Sequence, residues 1–141
     1  MDIRPYHWTV CHGHTEPRHP FYALFLDEPS FIEAYRLQDY SPVIDFQRDA
    51  VVVAHRGACP SAGFGVAIAG VALDRGALVV KVDFEDPAPG VMTAAVITYP
   101  RAVGLIERSQ LPEGLGRMSI RFIGTDGKTL ATQRGVGVSA G

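Results

Sequence analysis

The sequence predicts a mainly β fold, β-rich α+β in class: an antiparallel sandwich or partly open barrel of about eight strands with one short helix. Three observations predict it. Apolar residues recur with a period of two over much of the chain, and Gly, Pro and Asp-Gly turn signals return at short spacing. Strands do not alternate with long helical segments, which argues against a doubly wound fold. At 141 residues, 47% apolar and 20% charged, the chain is globular in composition. It is long enough to bury an ordinary core without disulfides or a structural metal.

The elements follow in order. Residues 1–20 are polar, rich in His and Pro and poorly periodic, with one short strand expected around Tyr6–Cys11. Phe21–Leu26 is a compact apolar strand. Asp27-Glu28-Pro29-Ser30 reads as a helix start, and Phe31, Ala34, Tyr35 and Leu37 give Ser30–Gln38 an amphipathic face. Ser41-Pro42 stops it. Ala50–Ala54 is a β-branched run that fits a buried strand. In Gly65–Leu73 the apolar parity flips at Gly70, which predicts a bulge there. Ala77–Glu85 alternates most clearly, with Leu78, Val80, Val82 and Phe84 on one face and Lys81, Asp83 and Glu85 on the other. After the Pro87–Gly90 breaker, Val91–Tyr99 and Ala102–Ile106 read as strands separated by Pro100. Met118–Ile123, the turn Gly124-Thr125-Asp126-Gly127 and Lys128–Gln133 form a hairpin. Gly135–Gly141 is expected to fray.

Charge narrows the function. A formal net charge of −2 supplies no basic footprint for nucleic acid or an anionic membrane. No apolar run approaches the roughly 18 residues of a spanning helix. Met1–Trp8 lacks the apolar core of a secretory signal, so the chain reads as soluble and cytoplasmic as written. Two cysteines, Cys11 and Cys59, allow one disulfide at most and read as free thiols.

Chemistry-bearing residues are sparse. Cys11-His12-Gly13-His14, with His7 and His19 nearby, has zinc-binding residue types, but the spacing fits no ordinary zinc pattern and a second ligand pair is missing. Cys59, with His55 four residues earlier, lacks a readable base and electropositive setting, because Arg56-Gly57 turns the chain between them. Ser61 has no triad partners. The expectation is therefore no catalytic set, no metal and no cofactor. The more specific feature is Gly57–Gly65, which lies between two apolar strands and lacks the Lys and following helix of a phosphate loop. It reads either as a tight hairpin with Phe64 capping the core, or as a stiff loop presenting Phe64 and free backbone groups to a partner.

Several of these segments resemble a known family. Val43-Ile44-Asp45-Phe46, Ala50–Ala54, Gly57 and Pro60-Ser61-Ala62-Gly63-Phe64-Gly65 are similar, in order and spacing, to the C-terminal domain of the PrcB-like protease-complex subunits. Those proteins show Asp-Phe, a Val-rich strand, a Gly and a Pro-Thr-Gly-Gly-Tyr loop. Pro87–Gly90 and Thr98-Tyr99-Pro100 resemble the family's second Pro-Gly turn and its Thr-Tyr-Pro. Ser61, Ala62 and Phe64 stand where Thr, Gly and Tyr are usual, and Cys59 precedes the Pro. The family's loop is itself similar to the Asn-Pro-Thr-Thr-Gly loop of chagasin-type cysteine-protease inhibitors.

The resemblance covers residues 21–107; length and patterning predict one domain over 1–141, with an irregular segment at 1–20 and an extra C-terminal hairpin at 118–134 outside the match. The resemblance implies a non-enzymatic protein-binding module, protease-associated, stabilising or inhibitor-like. Contact would run through Pro60, Ser61, Ala62, Gly63, Phe64 and Tyr99, with no nucleic acid or membrane as partner. Family members are often exported. The alternatives are a self-associating domain, a homodimer through strand edges, and a metal- or thiol-dependent activity of the His/Cys-rich N-terminus.

Overall fold

The structure is a computed structural model of the chain and describes residues 1–6, 17–35 and 44–134. Among these residues are eight strands and one α-helix: β1 (Arg4–Pro5), β2 (Phe21–Phe25), α1 (Glu28–Tyr35), β3 (Asp49–His55), β4 (Gly65–Asp74), β5 (Ala77–Glu85), β6 (Arg101–Glu107), β7 (Ser119–Gly124) and β8 (Thr129–Arg134). They form two four-stranded sheets, ordered β1-β6-β3-β2 and β4-β5-β7-β8, and no closed barrel. This is the β-rich sandwich that the alternation predicts. None of the described helices is long and apolar enough to cross a membrane.

The sandwich core lies between the sheets. Leu24, Val52 and Ile106 from one sheet meet Leu78, Val80, Val82, Ile120 and Phe122 from the other, all fully buried. On β5 the alternation holds, with Lys81, Asp83 and Glu85 exposed. β3 is buried along all seven residues, because both of its faces are covered. Ala50, Val52 and Ala54 face the second sheet, while Val51 and Val53 pack with Phe25, Phe31 and Tyr35 under α1. A strand covered on both sides reads as a continuous apolar run.

The helix starts at Glu28, two residues before the start read from the sequence, because Asp27 is the cap. Its carboxylate accepts the Ser30 N–H at 2.7 Å, and Pro29 is tolerated in a first turn whose amides have no helical partner. The expected continuation over 36–38 and the Ser41-Pro42 stop lie outside the described residues, as do the Gly135–Gly141 tail and residues 7–11 of the expected first strand. Tyr6 itself is not in a strand; the short β1 precedes it, and there the Arg4 guanidinium pairs with the buried carboxylate of Asp49.

The bulge predicted at Gly70 is present, as a register shift between Ile68 and Gly70. The β4–β5 hairpin closes through Arg75 (φ 50) and Gly76 (φ 78), the two consecutive positive φ angles of a turn that matches the strand twist. The C-terminal hairpin adds β7 and β8 to the second sheet. One pairing runs parallel: β5 with β7. The chain between them crosses to the other sheet as β6 before returning, and a crossover of that length permits parallel pairing. The remaining strand pairs are antiparallel.

At one side of the sandwich, the two sheets are stitched together. Leu24 on β2 donates its N–H to the Gln133 carboxamide oxygen at 2.9 Å, and the carboxamide nitrogen donates to the Leu24 carbonyl at 3.1 Å. The glutamine of β8 thus serves the open edge of β2 as one residue of a neighbouring strand would.

One predicted strand does not form. Val91–Ile97 has no regular structure, and only Thr98 makes an isolated bridge, to Cys59. The local preference for extended backbone is real, but among the described residues no strand lies alongside to complete a ladder.

Candidate functional site

The segment 56–64 connects β3 in one sheet to β4 in the other, so it is an inter-sheet loop and not the tight hairpin that the sequence allowed. Its first turn is forced at Gly57. The residue has φ 91, and a Cβ there would lie 3.0 Å from the Arg18 carbonyl oxygen. The Ala58 N–H donates to that same oxygen at 3.0 Å, which ties the loop to the residues entering β2.

The second half of the loop lies against residues 87–98. Cys59 and Thr98 exchange backbone bonds of 2.8 and 2.9 Å, the Thr98 hydroxyl donates to the Ser61 carbonyl at 2.8 Å, and the Ala62 N–H donates to the Ala94 carbonyl at 3.2 Å. Gly63 is required by close approach. A Cβ there would fall 2.6 Å from the Pro87 Cγ and 2.7 Å from the Thr93 Cγ2. The Pro87–Gly90 turn and the loop therefore form one packed end of the molecule.

Arg56 holds that end together. Its guanidinium carbon lies 5.0 Å from the centroid of the Phe64 ring and 4.9 Å from that of Phe84. One of its nitrogens donates to the Gly65 carbonyl at 3.1 Å and the Glu85 carbonyl at 2.8 Å, and the other pairs with the Asp86 carboxylate. A planar cation between two rings, with its donors used on backbone carbonyls, joins the end of β3 to the start of β4 and the end of β5. The arrangement also changes the reading of Phe64. Its ring is half-buried and stacks on Arg56 instead of standing free.

The sequence-derived contact residues come together unevenly. Pro60 and Ala62 are exposed at the loop top; Ser61, Gly63, Phe64 and Tyr99 are half-buried. Beside them stands an apolar surface that the sequence reading did not assign to the site. Val91 is 57% exposed, Met92 97%, Val96 53% and Ile97 64%. Arg56 was also missed. It is the one Arg or Lys between Arg48 and Arg75, a signal that only acquires meaning once Phe64 and Phe84 are seen to flank it.

The thiol and imidazole candidates sit elsewhere. Cys59 is buried, and its sulfur lies 3.7 Å from the Gly57 carbonyl. His55 is 1% exposed under α1, with its Nε2 2.6 Å from the Tyr35 hydroxyl and its ring stacked on Phe21. Cys11, His12, His14 and His7 lie outside the described residues. No group of three or more potential metal ligands occurs among the described residues.

By its fold the protein is a two-sheet β-sandwich whose distinctive end is a braced inter-sheet loop. Residues 50–104 match the family model described as PrcB C-terminal, so the resemblance carried by the motifs is borne out over that stretch. It spans most of β3, the loop, the β4–β5 hairpin, the Pro87–Gly90 turn and the first part of β6, and therefore contains the whole candidate site. No curated protein and no solved structure matches the chain.

Proposed function

We propose that the protein is a non-enzymatic, protease-associated binding module that engages its partner with the loop Pro60–Gly65, flanked by Tyr99. The observation that carries this reading is the contrast between bracing and exposure in the loop. Arg56, Gly63 and Thr98 fix its backbone from below, while Pro60 and Ala62 project next to exposed apolar side chains. A loop fixed in advance loses little conformational freedom on binding, which favours affinity. The family match supports association with a protease complex, in which this module would stabilise or inhibit the protease.

The test is affinity capture from extract of the source cells, with immobilised wild-type protein and an Ala62→Arg variant side by side. The wild-type protein is expected to retain a protease or protease subunit. The variant retains about tenfold less, because a cation is placed in the centre of an apolar contact. Ala62 is exposed, so the melting temperature stays the same. Equal retention by both proteins, or the absence of any protease component, would overturn the reading.

A further inference from the structure

The two open sides of the sandwich are finished differently. On one, the Gln133 carboxamide serves the edge of β2. On the other, β1 and β4 are the outer strands of their sheets. β1 spans two described residues, and Pro5 blunts its edge. β4 is ten residues long, and Gly65–Leu73 contains no charge and no proline. An edge left that bare invites pairing.

The β4–β5 hairpin fixes the direction of the β4 backbone. Asp74 and Ala77 flank the two-residue turn and form its hydrogen-bonded closing pair. Alternation along β5 then leaves Val71, Ile68 and Val66 with their N–H and C=O groups turned away from β5. Val71 agrees, since its carbonyl accepts from the Met1 nitrogen at 3.2 Å. Ile68 and Val66 have no hydrogen-bond partner on that side among the described residues. Their side chains point inward and line a cleft of about 590 Å³ between the sheets. Its opposite wall includes Ile3, with Ala102 and Gly104, two residues small enough to leave the space open.

We propose that Gly65–Ala69 of β4 and the adjoining cleft bind an extended segment of a partner polypeptide, added antiparallel as an outer strand, with apolar side chains at alternate positions entering the cleft. The occupant follows from two demands. The open N–H and C=O groups of Val66 and Ile68 recur two residues apart along one edge, a pattern that extended backbone reproduces. The cleft behind them takes a small apolar side chain opposite each, on the same face. A second copy meets only the first demand, because its own Val66 and Ile68 side chains pack against its own core. The bulge at Gly70 and the occupied Val71 carbonyl end the site. It begins where the loop Pro60–Gly65 ends and does not rest on the protease-binding reading.

Amide exchange of the full chain, followed by NMR with and without the blocked peptide Lys-Thr-Val-Thr-Val-Thr-Lys at about 1 mM, tests the proposal. The peptide is expected to slow exchange at Val66 and Ile68 about tenfold, the protection given by a ligand at ten times its Kd, and to leave Ala62 and Gly63 unchanged. Methylating the nitrogens of both valines, which face β4 in antiparallel pairing, abolishes the protection. Methylating the central threonine nitrogen, on the outer edge, preserves it. Ala102→Leu fills the cleft and weakens the peptide about tenfold while the melting temperature holds. Ala62→Arg binds the peptide as the wild type does, which separates this site from the loop. No protection at Val66 and Ile68, protection that survives methylation of the valines, or protection centred on Ala62 and Gly63 overturns the proposal. So does slowing at Val66 and Ile68 with protein concentration alone, which would assign the edge to a second copy.

Discussion

His55 and Arg56 are neighbours in the chain, and each is held among aromatic rings, but they serve different ends. Successive residues of a strand point to opposite faces. His55 turns outward from the sandwich, beneath α1, where Phe21, Tyr35 and the Tyr35 hydroxyl enclose it. Arg56 turns to the space between the sheets, where Phe64 and Phe84 flank it at the rim. The first site is sealed, and its polar atoms stabilise only if paired. The second keeps its side chain 18% exposed and uses a charge to brace a loop. The difference separates what keeps the domain folded from what keeps the candidate binding loop in place.

Tyr35→Phe is the strongest way to break that contrast. It leaves the His55 Nε2 without the phenol, and a loss of about 2 kcal/mol in urea denaturation is expected. A loss below a few tenths of a kcal/mol would mean that the hydrogen bond contributes nothing net. Arg56→Met has a smaller global effect, about 1 kcal/mol, because its ion pair with Asp86 and its ring contacts lie at a rim. Its main consequence is local: amide exchange at Ala62 and Gly63 accelerates while that of β3 does not. Uniform acceleration over both regions would show that Arg56 is a core residue and not a loop brace.

The smallest expected effect is a pH dependence at Tyr22, which lies near Arg56. Burial pushes the Tyr22 phenol above its ordinary 10.0, and the Arg56 charge pulls it partly back. The folded state therefore holds this proton more tightly than the unfolded state. The stability is fully present below pH 10 and declines as pH rises through about 10 towards the folded value. Thermal melts between pH 9 and about 11 are expected to show a shallower decline for Tyr22→Phe than for the wild type. Identical slopes would remove Tyr22 from the account.

Much of the fold was legible because alternation and turn chemistry are local. β5 declared its buried face through Leu78, Val80 and Val82, and the parity change at Gly70 marked the bulge. The parallel pairing of β5 with β7 was not legible, since an alternating pattern carries no direction. Val91–Ile97 misled for a related reason. Strand preference resides in the residues, whereas a strand also needs a neighbour. At the candidate site, the motif order located the loop correctly. The Arg56 brace escaped because its rings arrive from β5 and from beyond the turn, and nothing local announces a stack built across two sheets.

The Gln133 stitch has a consequence in time. Leu24 and Gln133 are 109 residues apart, so the edge of β2 emerges long before the carboxamide that closes it. At ordinary rates of synthesis the interval is roughly 5–20 s. Throughout it, the nascent chain carries an unsealed apolar strand, and β8, the final strand among the described residues, is the one that covers it.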